Sequence, residues 1–567
     1  MTQLQARALI GPNLYCPGPA AVAELETESI SPGLIAAIHR EHGALRAALG
    51  WPAIALLERA YRCQNGDRSL ALAAPTREEN AEADAVLLER AIRRALSETP
   101  LRLADDLAAI TRKQESERRS PPLRALVDAA EARGLTTLVD DDALSLGEGL
   151  HSQTWPIDQI PDEANVPWQE LGRVPIALIS GTNGKTTCAR LLARLAKSAG
   201  HHVGTTTTDG VVVDGVMIES GDWTGPGATR MVLRRRDVDF AALEIARGGL
   251  LRRGLVIRRA DAALITNISA DHLGDYGVTD LRTMAAVKAV LGGVVQPSGR
   301  VVMGADSAPL RGVDTSRFRA PVVWFAMSPD NPTLRSHLSA GGEVWYVAHG
   351  SLCFASKGQE QPLLEVASIP CTIGGAATHN VQNALGVAAL ARAIGLPRAA
   401  IIDGLRSFRS SAEENPGRVN RFELNGLMIV LDFAHNPAGI RALGEVLQVL
   451  RGAGRLTVAF GMAGDRNEAD LRLLAQAIGD LEPDRVVLRE QEDHLRGRSL
   501  GEVPTLLRHG LLDHGMKPAR ISEVRDELAT IDRALEDAKP GDLLAILAHT
   551  QRDAVVAHLQ ALGARAL

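Results

Sequence analysis

The spacing of apolar positions changes twice along this chain, and each change marks a boundary. Up to about Leu146, short apolar segments give way to helical spacing. Residues 81–92 repeat apolar side chains at helical intervals among strong helix formers, which predicts a helix. Residues 122–134 predict another, with proline near the start and glycine at the end. The polar stretch from Gln153 to Gly172, broken by Pro156, Pro161 and Pro167, reads as a linker. From about Arg173 to Pro416, apolar runs alternate with helical segments. Runs 174–179, 240–245, 262–267 and 300–303 read as strands of a parallel sheet covered on both faces. The last region opens with the apolar run 428–433 and continues through 456–461 and 543–547, the pattern of a smaller doubly wound domain. The expected architecture is α/β. A small α+β domain (1–146) and a linker (147–172) precede a central parallel-sheet domain (173–416) and a C-terminal Rossmann-like domain (417–567).

Composition narrows the function classes. A chain of 567 residues is too long for one core. Lys+Arg 62 against Asp+Glu 68 gives a net charge of -6, and aromatics are 3%, which argues against a nucleic-acid partner. Cys16, Cys63, Cys188, Cys353 and Cys371 form no C-x-x-C pair, so a reducing compartment fits best. The N-terminus lacks the apolar core of a signal peptide, and no apolar run is long enough to span a bilayer. The expectation is a soluble, cytoplasmic protein with no membrane partner.

The candidate chemistry begins at Gly181, Thr182, Asn183, Gly184, Lys185, Thr186 and Thr187, between an apolar run and a helical one. Strand, glycine loop and helix in that order make a phosphate cradle. Backbone N–H groups approach the phosphate oxygens, the helix N-terminus adds positive potential, and lysine adds a full charge. A hydroxyl after the lysine suits Mg²⁺. The match to G-x-x-x-x-G-K-[ST] is incomplete, because Ile179 stands at the first glycine position. An ordinary strand-to-helix turn is the alternative.

Further residues extend the pattern. Glu244 ends an apolar run and is placed to hold a metal, or is a surface glutamate at a strand end. His272, in Asn267 to Gly274, suits a divalent ion or a phosphate, or is a structural loop histidine; Asp271 could cap the following helix. Lys288 sits amid small and apolar residues, where burial is costly unless the amine is paired or modified. The alternative is an exposed helical lysine. Asn380, Gln382 and Asn383 offer amides for an adenine edge, and Arg418, at a domain joint, could swing onto a phosphate. Asp432 follows a strand, as ribose-binding carboxylates do. Each has a turn or cap as its alternative. Arg234, Arg235 and Arg236 read as a solvated helix face.

Together, GTNGKTT, LEIARGGLLRRG, SADHLG, HNVQN, PGR and DFAHNPAG, in this order, resemble the Mur ligase superfamily of ATP-dependent amide-forming ligases. Within it they resemble the Mur-ligase-like half of cyanophycin synthetases, from about Pro175 to the C-terminus. Residues 464–466 and 492–498 extend that likeness, and residues 7–13 and 122–134 resemble that family's N-terminal domain. Its ATP-grasp domain has only the 147–172 segment in its place, which is too short to hold one.

The resemblance implies a Mur-ligase-like fold, ATP and Mg²⁺. It places Lys185 and the loop residues Gly181 to Thr187 on the phosphates, Thr186 and Glu244 on Mg²⁺, and His272 at a second metal or its shell. It implies carbamylation of Lys288 to give a further metal ligand, Asn383 at adenine and Asp432 at ribose. Arg418 would reach the phosphates on domain closure, with His435 orienting that side. Asp465, Arg466, Glu492, Asp493, Arg496 and Arg498 are candidates for the amino-acid pocket, or members of a solvated charged loop. The expected activity joins an amino acid or other amine to a small carboxylate or acidic peptide. Another Mur-type ligase, such as a polyglutamylating enzyme, and a nucleotide-binding partner of a separate ATP-grasp enzyme are the alternatives. Homo-oligomerisation is left open.

Overall fold

The computed structural model describes residues 3–27, 30–62, 68–99, 101–271 and 273–567; Cys63 and His272 lie outside the described residues. The central sheet is built on parallel strands in the order Val203–Thr207, Phe240–Glu244, Ile176–Ser180, Ala260–Ile265, Val295–Gly304, Val322–Ala326 and Val344–Ala348. Antiparallel hairpins extend both edges. Ile176, Ala177, Leu178 and Ile179 are all fully buried, as expected for a strand covered on two faces. Helices Lys185–Ser198, Thr378–Ala393 and Arg398–Ser407 pack on one face, and Pro226–Leu233, Arg247–Arg253 and Leu281–Gly293 on the other.

The Ile176–Ser180 strand lies between Phe240–Glu244 and Ala260–Ile265. The chain winds one way after it and the other way later, so its C-terminal end is a topological switch point, where loops part and open a crevice. The glycine loop, Glu244 and the 266–271 segment all leave the sheet there.

The C-terminal sheet runs Ile521–Val524, Arg485–Arg489, Leu456–Phe460, Leu543–Leu547, Leu427–Asp432 in parallel, closed by antiparallel Asn420–Leu424 and Arg565–Ala566. Helices cover both faces. Asn436 caps the Pro437–Arg451 helix by accepting a hydrogen bond from Gly439 N, and Pro437 opens it.

The N-terminal sheet is antiparallel, in the order Gln3–Leu9, Ala20–Thr27, Arg68–Pro75, Leu57–Arg62, with helices Pro32–Ala48 and Ala81–Leu96 against it. The linker reading of residues 147–172 requires correction. Gln153–Pro156 is a strand in a three-stranded sheet with Thr137–Val139 and Ala143–Leu146. Val166, Trp155 and Trp168 pack with the Pro121–Ala132 helix. Prolines keep a long α-helix from forming there, and the segment's helical elements are only short 3-10 turns, but irregularly spaced apolar anchors still pack it against the fold. Among the described residues the cysteines are buried free thiols, and no described helix is long and apolar enough to cross a membrane.

Candidate nucleotide and metal site

Gly184 adopts φ 85° and starts the Lys185–Ser198 helix. A Cβ there would lie 2.3 Å from Asn383 Oδ1. At Gly181, φ is 153° and a Cβ would lie 1.9 Å from Thr266 Oγ1. Glycine is therefore required at both places by backbone angle and by space. Gly181, with Ile179 kept as a strand residue, supplies the close approach that the motif lacked. The loop is held from below. Thr266 Oγ1 donates to Asn183 O at 2.7 Å, Asn183 N donates to Asn267 Oδ1 at 3.0 Å, and Ser269 N donates to Thr182 Oγ1 at 3.0 Å. Lys185 Nζ donates to Thr182 O at 3.0 Å, folding its charge over the loop.

Glu244 is completely buried. Its Oε2 accepts from Thr186 Oγ1 at 2.8 Å, while Oε1 has no hydrogen-bond partner. Burial pushes the carboxyl above its usual range, opposed by Lys185 and the Thr186 hydroxyl. A buried carboxylate oxygen left unpaired is costly. Paired with a hydroxyl and aimed at the phosphate cradle, it fits a hard cation. Among the described residues no cluster of three His, Cys, Asp or Glu side chains forms a metal cage.

Lys288 is buried on the Leu281–Gly293 helix, not exposed, and Nζ donates to Gly181 O at 2.8 Å. Burial drives the amine well below the lysine range, and Lys185 pushes the same way. Asp271 does not cap that helix; Asp280 does, accepting from Thr283 N at 2.7 Å. Asp271 instead meets the C-terminal domain, through Arg466 at 2.8 Å and His435 Nε2 at 3.6 Å.

The cradle opens into a cavity of about 390 Å³ between the two sheets. Lys185, Glu244, Asn383, Arg418, Asp432 and His435 all line it. Asn383 Nδ2 donates to Asn380 Oδ1 at 3.1 Å. Asp432 accepts from Val419 N at 2.8 Å and Ala434 N at 2.7 Å; burial raises its carboxyl and Arg418 opposes the shift. The Arg418 guanidinium lies 4.5 Å over the Phe433 ring, pre-oriented by stacking. The domains meet over the glycine loop itself, where Asn436 Nδ2 donates to Asn183 Oδ1 at 3.0 Å.

Several residues in this region escaped sequence reasoning. Asp209, beyond the Val203–Thr207 strand, pairs with Arg190 at 2.8 Å and with Arg552 of the C-terminal domain. His379 lines the cavity with Nδ1 unpartnered. Arg489 and Glu527 form a buried pair at 2.6 Å. Glu527 also accepts from the backbone N–H of His549, Thr550 and Gln551, while His549 reaches Ala434 O at 3.1 Å. Asp209 carried the strand-end signal that picked out Glu244; Arg489 and Glu527 look like ordinary surface charges in sequence.

Among the acceptor candidates, Arg466 reaches the described part of the central domain, at Asp271. Arg496 pairs with Asp465, and Arg498 donates to Gly464 O at 3.0 Å and Arg466 O at 2.7 Å. Glu492 and Asp493 are exposed. Arg234 is not solvated: it pairs with Asp140 at 2.6 Å and donates to Ser145 Oγ at 2.8 Å, because the three-stranded sheet covers that helix end.

Comparison with known proteins agrees with the geometry. Residues 179–391 match the Mur ligase middle domain, and residues 417–549 match the Mur ligase glutamate ligase domain. The chain belongs to the Mur ligase family. It is 37% identical to the cyanophycin synthetase of Synechocystis sp. over 383 residues, which are 68% of this chain and 43% of that protein. It thus spans less than half the length of that relative. It is also 28% identical over 309 residues to UDP-N-acetylmuramoyl-L-alanyl-D-glutamate--2,6-diaminopimelate ligase of Chlamydia pneumoniae, covering 53% of this chain and 59% of that enzyme. In structure it resembles E. coli FolC in complex with ADP, with a TM-score of 0.50 and 20% identity over 68% of this chain and 90% of that one. That likeness speaks to the fold alone.

Proposed function

We propose that this protein is an ATP-dependent amide ligase that joins an amino acid or other amine to a carboxylate through an acyl phosphate, with ADP and phosphate as products. The observation that carries this reading is the unpaired Glu244 Oε1 beside Thr186 and Lys185, facing Arg418 and Asp432 across one cavity. An inert scaffold would gain nothing from a buried, unpaired carboxylate.

The glycine-loop amides and Lys185 hold the β- and γ-phosphates; Asn383 meets the adenine end and Asp432 the ribose. Thr186 and Glu244 would hold Mg²⁺, with His272 at a second metal or its shell. When bound, the cation neutralises charge on the phosphates. A substrate carboxylate oxygen attacks the γ-phosphorus, the bond to the β-phosphate oxygen breaks, and ADP leaves. The amine then attacks the acyl carbon, loses a proton, and expels phosphate. Arg418, stacked on Phe433, would reach the phosphates, with His435 orienting that side. Closure of the C-terminal domain keeps water from the acyl phosphate. Burial holds the Lys288 amine well below the lysine range and so favours the neutral form, the form that takes up CO₂, which supports carbamylation there.

The cyanophycin synthetase likeness favours a small amino acid as one substrate and an acidic peptide or small carboxylate as the other. The brevity of residues 147–172 supports a single ligation centre without ATP-grasp chemistry. The test is ATP consumption by the purified protein against mixtures of amines and carboxylates, followed by product mass. Release of ADP and phosphate matched by an amide product supports the reading. No nucleotide binding or turnover under any metal condition refutes it.

A further inference from the structure

Among the central-domain segments that the N-terminal domain touches, three adjoin residues of the metal end of the site. The first is the Arg247–Arg253 helix, which begins three residues after Glu244. Arg7 Nε donates to Leu251 O at 2.7 Å, Ile10 N to Arg253 O at 2.8 Å, and Leu255 N to Pro12 O at 2.9 Å. A Cβ on Gly11 would lie 2.0 Å from Leu255 O, so the backbones are in direct contact. The second is the 274–278 turn, which follows Asp271 and His272. Arg59 Nη2 donates to Gly277 O at 2.6 Å, and the Arg7 guanidinium lies 4.7 Å over the Tyr276 ring. The third is the first turn of the helix that carries Lys288, where Arg59 Nη2 also reaches Thr283 Oγ1 at 3.3 Å.

The turn itself needs holding. Gly274, Tyr276 and Gly277 have φ of 109°, 51° and 67°. For tyrosine the left-handed region is strained, and such strain persists only where neighbours over-determine the conformation. The neighbours here are Arg7 over the ring, Arg59 on the next carbonyl, and Arg247 paired with Asp275 at 2.8 Å. Two of these three come from the N-terminal domain. Backbone-to-backbone bonds and a glycine contact are not the features of a loosely tethered arm.

We propose that Arg59 is a positioning residue: it fixes the 274–283 segment, which joins Asp271, held against Arg466 and His435, to Lys288, whose amine donates to Gly181 O of the glycine loop. The N-terminal domain is then a working part of the metal–phosphate end. This rests on the nucleotide reading above.

The test uses the full chain carrying Arg59→Ala or Arg59→Lys. Amide hydrogen exchange over 274–283 is measured without ligand, and Mn²⁺ binding is measured by electron paramagnetic resonance with a non-hydrolysable ATP analogue. In Arg59→Ala, exchange over 274–283 is expected to speed at least tenfold and Mn²⁺ affinity to fall at least fivefold. Analogue binding in a chelator should stay at the wild-type value. Arg59→Lys, which keeps a donor for the Gly277 carbonyl, should recover part of both losses. Exchange and Mn²⁺ affinity at wild-type values overturn the proposal, and so does faster exchange with unchanged Mn²⁺ affinity. A wild-type protein that binds no Mn²⁺ with the analogue overturns the nucleotide reading instead; exchange in the unliganded variants still decides whether Arg59 holds the turn.

Discussion

Two sheet edges face one another across the cavity, and they treat a buried carboxylate in opposite ways. At the central edge, Glu244 keeps one oxygen without a partner, and the buried Lys288 amine donates to the Gly181 carbonyl. At the C-terminal edge, Arg489 and Glu527 are as deeply buried but joined, and Glu527 gathers three further backbone N–H groups. Breaking a buried pair is far more costly than losing an exposed one. The paired edge is a frame: it sets the 548–551 loop, and through His549 the Ala434 carbonyl beside Asp432. The unpaired edge stores unmet hydrogen-bonding and charge demand, which a nucleotide and a cation would satisfy. Side chains alike in burial and charge thus serve scaffold or site according to whether the protein itself supplies the partner.

Removing one half of the pair breaks this contrast most sharply. Glu527→Ala leaves the Arg489 guanidinium buried and alone, and should cost about 3–5 kcal/mol of C-terminal domain stability, read by denaturant melts. At the unpaired edge, Lys185→Ala should leave melting near wild type while nucleotide-dependent ligation falls about 10²–10³-fold or more. An active, folded variant argues against the phosphate site. Asp209→Asn tests the bridge between the edges. Losing the charged acceptor for Arg190 and Arg552 should weaken the closed arrangement by about 1.5–3 kcal/mol, seen as a more extended particle in solution scattering and a raised KM for ATP.

Glu244→Gln sharpens the comparison further. It removes a charged metal ligand and should raise the Mg²⁺ concentration for half-activity about tenfold, while relieving buried charge and raising the melting temperature. An unchanged Mg²⁺ titration refutes the assigned role. The smallest effect is the pH dependence of Lys288. Its amine is depressed in the folded state, so the unfolded chain binds more protons between the lowered value and the ordinary lysine range. Stability attributable to this group therefore rises with pH across that window. Lys288→Met should gain about 1–3 kcal/mol over the wild type on the acid side, and that advantage should shrink as pH climbs. A pH-independent difference contradicts it.

Much of the site was legible because its signals are local. Glu244 and Asp432 end apolar strands, and Gly181 to Thr187 joins a strand to a helix; these placements follow from chain order. Asp209 carried the same strand-end signal, but its partner Arg552 lies 343 residues away, and nothing in the sequence joins them. Arg234 read as solvated because its helix shows one polar face; the sheet that covers it comes from residues 137–156. The linker reading failed for a related reason. Proline and polar residues describe what a segment cannot be, while Trp155, Val166 and Trp168 find their packing only once the Pro121–Ala132 helix is in place.

What the sequence determined by itself is the series of elements and the motifs at their ends, since strand and helix periods are properties of the backbone and its neighbouring side chains. Only the tertiary structure decided which charges lose water, which then find partners, and that the N-terminal domain grips the turn beside Asp271. Burial and pairing depend on atoms that arrive from distant parts of the chain, and no window of neighbouring residues contains them.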